Sequence, residues 1–156
     1  AFCACPAVAF DKAGYKQTVG ETIMAIQSGD VDVDTLIAKQ MHLMDLGVGA
    51  LRDYATAHPD SAKLLNFVAD QAPSMPDMSL DQIEAQWHEG GALDTIGIKL
   101  HDLDHFGEEV SLRDTVVHPA TAVIALRRFK TDGNEDHLDQ VIDELSEVVE
   151  HLGHLE

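Results

Sequence analysis

The stretch EAQWHEGGALDTIGIKLHDLDHFGEE, residues 84–109, decides how this chain is read. It holds the only tryptophan, Trp87, three of the nine histidines (His88, His101, His105) and four of the eleven glycines. At ~100° per residue, Ala92, Leu93, Ile96, Leu100 and Leu103 form an aliphatic stripe. Ile83, Trp87, Gly90, Asp94, Gly97, Ile98, His101, His105 and Glu108 fall on another side. Ser79-Leu80-Asp81-Gln82 has the form of a capping box just upstream. The stretch therefore predicts one long central helix that weakens at Gly107.

Outward from it, helical periodicity continues in both directions and no useful segment alternates as a strand would. Residues 12–28 predict a first helix with Tyr15, Val19, Ile23 and Ile26 inward and Gly29 just past its end. Asp32 or Asp34 caps a second helix through Ala57. Its arc is Leu36, Ile37, Met41, Met44, Val48, Leu51 and Ala55, and His58-Pro59 ends it. Residues 61–71 predict a short third helix. Ser111-Leu112-Arg113-Asp114 resembles a second capping box for a helix reaching Thr131, with Pro119 as a kink or as the true first residue. After a turn at Thr131-Asp132-Gly133-Asn134, a last helix runs over residues 135–152. The expected fold is all-α, an antiparallel up-and-down helical bundle of four long helices plus one or two short ones.

The 156 residues fit one domain, expected over residues 10–154. Residues 1–9, AFCACPAVA, read as the tail of a secretory signal or a disordered N-terminus, ending in the small-x-small pattern Ala7-Val8-Ala9. That reading implies a periplasmic or secreted protein. Leu155-Glu156 resembles a cloning scar. The only cysteines, Cys3 and Cys5, lie in the doubtful N-terminal segment, so no disulfide framework is expected. No run approaches the ~20 apolar residues of a membrane span, so no membrane insertion is expected. Twenty-eight acidic against ten basic residues leave a net charge of −18. That balance excludes nucleic acid as a partner, because phosphate contacts need Lys and Arg.

His101 and His105 are i and i+4 neighbours whose rings can reach a common point. With Asp94 two turns before and Glu108 one turn after, they form the candidate metal ligands for Zn, Cu or Ni. Trp87 and His118 are the candidate cofactor contacts. His118 precedes Pro119 and can meet the central helix. Non-covalent haem is also admitted, with Met24, Met41, Met44 or a histidine as axial ligand. Covalent haem attachment is excluded, since no Cys-x-x-Cys-His is present. The ferritin-like Glu-x-x-His pair is likewise absent. Glu144, Glu147, His151 and His154 lie mostly opposite the stripe of Leu138, Val141, Leu145, Val148 and Leu152, and read as a solvated face, as does His42 on its own helix. No nucleophile elbow or phosphate loop is present, so an enzyme would have to be metal- or haem-based, and binding is favoured over catalysis. The rival expectation is a cofactor-free structural module that accepts a protein partner.

Overall fold

The computed structural model describes residues 9–155. The reading of residues 1–9 as a secretory tail, Ala9 apart, lies outside the described residues, as do the Cys3/Cys5 pair and Glu156. Every regular element among the described residues is helical. Helix α1 spans Lys12–Ser28, α2 Val33–Ala57, α3 Ala62–Gln71, α4 Leu80–Ile83, α5 Gly91–Asp94, α6 Glu108–Asp132 and α7 Asp136–Leu152.

The ends of the long helices follow from local chemistry. Asp11 caps α1 by accepting from the Gly14 N–H at 2.9 Å, and Asp32 caps α2 through the Thr35 N–H at 3.1 Å. Gly29 and Gly133, at φ 78° and 69°, close α1 and α6 in the left-handed conformation that favours glycine. Helix α2 stops at His58, ahead of Pro59.

Four long helices, α1, α2, α6 and α7, make the bundle, each packing on two of the others. Neighbours run antiparallel. Asp34, early in α2, pairs with Lys130, late in α6, at 2.6 Å, while Tyr54, late in α2, hydrogen-bonds Glu108 at the start of α6. Lys12, opening α1, donates to the carbonyl of Leu155, just beyond α7. Leu155 itself packs into the core.

The third long helix is α6, not the expected central one. The Ser79–Gln82 capping box forms, with bonds of 2.9 and 3.1 Å, but the helix that it opens lasts one turn. A widened π turn over Glu84–His88 follows, closed by the Glu89 N–H on the Glu84 carbonyl at 2.8 Å. Gly90 and Gly97 then adopt φ 89° and 77°. A right-handed helix cannot pass through such residues, so the apolar periodicity of this stretch runs through a folded excursion.

Helix α6 begins at Glu108, which places Ser111-Leu112-Arg113-Asp114 inside it and not at a cap. Pro119 also lies inside. It has no N–H for the Thr115 carbonyl four residues back, and the Tyr15 hydroxyl donates to that carbonyl instead, at 2.7 Å. Residues 110–126 of α6 are buried on every side, under α2, α7, α3, α4 and residues 72–77. A helix covered all round shows no amphipathic stripe, which hid its start from periodicity. Gly47 lets α2 close on it, since a Cβ there would lie 2.8 Å from the Thr115 carbonyl oxygen. Leu43, Leu51, Leu65, Trp87, Leu126, Leu145 and Leu152 fill the surrounding core. Each contributes about 1.5–3 kcal/mol of burial.

Candidate metal centre

Polar groups concentrate on one side of the buried helix. Asp114 and His118, one turn apart on α6, face Glu144, Glu147 and His151 of α7, and His88 arrives from the π turn. His118 Nδ1 lies 2.6 Å from Glu144 Oε2, and its Nε2 faces Asp114 Oδ2 at 3.7 Å and Glu147 Oε2 at 3.8 Å. His151 Nδ1 hydrogen-bonds Asp114 Oδ2. The other carboxylate oxygen of Asp114 accepts from Arg113, with Nε at 2.9 Å, while Arg113 Nη1 donates to the Trp87 carbonyl at 3.0 Å. His88 Nε2 meets the Thr121 hydroxyl oxygen at 2.8 Å, and that hydroxyl donates to the Val117 carbonyl.

Asp114 is fully buried and His118 is 3% exposed. Burial pushes the Asp114 carboxyl up, but the Arg113 guanidinium and the imidazoles of His118 and His151 outweigh it and hold Asp114 far below the usual range. For His118 burial acts downward, and the facing carboxylates of Asp114 and Glu144 carry it up to about 9. Burial lowers His88, with neighbouring His118 adding to the effect against the pull of Glu144.

Two groups of three ligand atoms converge to within 4.8 Å, Asp114–His118–His151 and His88–His118–Glu144. His118 belongs to both. A cleft of about 360 Å³ opens beside them, lined in part by His88, His101, His105, Arg113, Glu147 and His151.

The residues expected from the sequence scatter around this centre. His118 stands in the middle of it. His105 lies at the cleft edge, its ring centroid 5.0 Å from that of His151. His101 also lines the cleft, but its side chain is 80% exposed and sits beside Asp102. Asp94 pairs with Lys99 at 2.8 Å on the surface, and Glu108 accepts from Tyr54 against α2, so neither joins the histidines. Trp87 is buried against Phe67 and reaches the centre only through its backbone carbonyl. Breaking of the central helix is what separates Asp94 from His101 and His105.

The sequence gives no site expectation for Asp114, Arg113 or His88, and places Glu144, Glu147 and His151 on a solvated face. The face of Glu144, Glu147, His151 and His154, expected to be solvated, is corrected in half: His151 is buried at 7% exposure and the Glu144 side chain at 13%, while Glu147 and His154 are exposed as expected. At ~100° per residue His151 and Glu144 lie on the border of the apolar stripe, where the excursion covers them. The signal was present as Asp114-x3-His118, an i,i+4 ligand pair in an otherwise apolar run. His42 is exposed, as expected. No protein-family model matches the chain, and neither a curated protein nor a solved structure matches it at a significant level.

Proposed function

We propose that this protein binds a divalent transition-metal ion between α6 and α7, held by Asp114 Oδ2, His118 Nε2 and His151 Nδ1, with Glu147 at the open side. The observation that supports it best is the convergence of these three buried ligand atoms to within 4.8 Å. Metal–ligand bonds of roughly 2.0–2.2 Å put ligand atoms within about 4 Å of each other, so small side-chain shifts suffice. His118 is arranged as metal-binding histidines usually are, its second nitrogen against the Glu144 carboxylate at 2.6 Å, which orients the ring. The charge also matches. Asp114, Glu144 and Glu147 against Arg113 leave two negative charges for a divalent cation to neutralise.

Imidazole and carboxylate donors without a thiolate suit Zn, Cu or Ni over Ca and Mg. They suit an ion better than haem: Met44 is in the core, Met24 and Met41 are exposed, and none of them lines the cleft. The reading is of a binding protein. An extracytoplasmic location belongs to the same proposal, supported by Ala7-Val8-Ala9 alone, and cell fractionation tests it.

Calorimetric titration of the tag-free, EDTA-stripped chain with Zn²⁺ tests the metal reading. Stoichiometric binding is expected, weakened at least 100-fold by His118→Ala and by His151→Ala, and unchanged by His101→Ala. Absence of stoichiometric Zn, Cu and Ni, with folding intact by circular dichroism, would sink it. The hydrogen-bonded cluster would then be the polar anchor of a cofactor-free module that binds a protein partner.

A further inference from the structure

We infer that the centre is built for two ions, with the His118 ring as the bridge between them. This inference rests on the metal reading above and extends it.

The two ring nitrogens of His118 face different ligand sets. Nε2 looks toward Asp114 and Glu147, at 3.7 and 3.8 Å. Nδ1 looks toward Glu144 at 2.6 Å, and Glu144 Oε2 in turn lies 3.7 Å from His88 Nε2. The His88 and His118 rings stand 5.2 Å apart, nearly perpendicular, so each presents an edge nitrogen toward the shared carboxylate. The second ion therefore sits among His88 Nε2, His118 Nδ1 and Glu144 Oε2. Three ligands come from three separate elements: the π turn, α6 and α7. A π turn costs hydrogen-bond geometry and is frequent at functional sites. Here it ends on His88 and turns that ring onto the Thr121 and Glu144 side of α6.

The proton changes are simple. In the metal-free state the Thr121 hydroxyl donates to Val117, so its oxygen accepts the His88 Nε2 proton. On loading, His88 takes its other tautomer, protonated on Nδ1, and frees Nε2. His118, with a carboxylate at each ring nitrogen, carries two ring protons. The Nε2 proton leaves to solvent with the first ion, for which His151 also shifts the Nδ1 proton it shares with Asp114 to its Nε2. The proton between His118 Nδ1 and Glu144 leaves to solvent with the second ion, which takes its place. An ion already on Nε2 makes that loss easier, because a bound cation is the largest charge nearby. The two sites fill in order, Nε2 side first.

The test is copper and zinc stoichiometry of the tag-free protein by elemental analysis, with excess Mg²⁺ present to occupy surface carboxylates, combined with Cu²⁺ electron paramagnetic resonance. Two equivalents are expected for the native chain, with the spin signal at two equivalents falling short of twice that at one, because an imidazolate couples the coppers. His88→Ala and, independently, Glu144→Gln should each hold one equivalent with an isolated-copper spectrum. Glu144→Gln keeps an acceptor for His118 Nδ1–H, so the first ion stays. One equivalent in the native chain overturns the bridge and leaves the single-ion reading standing. None overturns both. Two equivalents unaltered in both variants, or two magnetically isolated coppers, also overturn the bridge, since the second ion then lies elsewhere.

Discussion

His118 is one residue before a proline, inside a helix, with a carboxylate at each ring nitrogen. The facing carboxylates push its pKa up to about 9, against 6.5 for a free side chain. A raised value means that the protonated ring stabilises the fold fully below about pH 6.5, and that this contribution is lost as pH rises through 9. The groups facing the ring are Asp114 from α6, Glu144 and Glu147 from α7, and His88 from the π turn. Denaturant unfolding in EDTA should show stability falling between pH 6.5 and 9.5 by on the order of 3 kcal/mol. The fall should be absent in His118→Gln; equal slopes in both proteins would refute the assignment. A second prediction at this scale concerns Tyr15. Tyr15→Phe leaves the buried Thr115 carbonyl without its donor and should cost about 1–3 kcal/mol by urea unfolding. The cost should shrink in a Pro119→Ala background, where the restored N–H can serve that carbonyl. At the residue scale the sequence was partly legible. His118 stood out through its place beside Pro119, whereas Asp114 did not. Its partners, His151 and Arg113, come from another helix and from the adjacent position, and no spacing rule joins all three.

Among the elements, the legible ones are those ended by local chemistry. The end of α1, both ends of α2 and the turn between α6 and α7 could be read from Gly29, Asp32, Pro59 and Gly133 because each signal acts within a few residues. The failure lies in residues 79–107, where apolar spacing indicated a helix and two left-handed glycines broke it. Gly90→Ala should accordingly be destabilising by more than 1 kcal/mol in thermal unfolding. Its φ of 89° is strained for any side chain, and a Cβ would lie 2.6 Å from that of Leu100. Gly47 sets the α2–α6 distance. Gly47→Ala gains helix propensity, but its Cβ meets the Thr115 carbonyl, which no rotamer change can move away. A net loss of about 1–3 kcal/mol is expected by the same measurement; a more stable variant would show that the two helices are not in that contact.

On the scale of the whole molecule, the all-α class was readable from periodicity, while which segments make the long helices of the bundle, and the arrangement that makes the centre, were not. The excursion between α3 and α6 folds across the α6/α7 pair and delivers His88 and His105 to it, a long-range event with no signature in spacing. No helix among the described residues is long and apolar enough to cross a membrane. Because α6 is buried and carries Asp114 and His118, an ion bound there is linked to folding of the entire bundle. Zn²⁺ at 100 times its dissociation constant should stabilise the native chain by about 2.7 kcal/mol, seen as a raised Tm. His118→Ala should show no such rise. Most direct is anomalous diffraction at the zinc edge from crystals of the tag-free protein loaded with one equivalent of Zn²⁺. A peak roughly 2.0–2.1 Å from His118 Nε2 and shared with Asp114 and His151 is expected. Peaks confined to surface carboxylates, or no peak at all, would contradict a metal centre between α6 and α7.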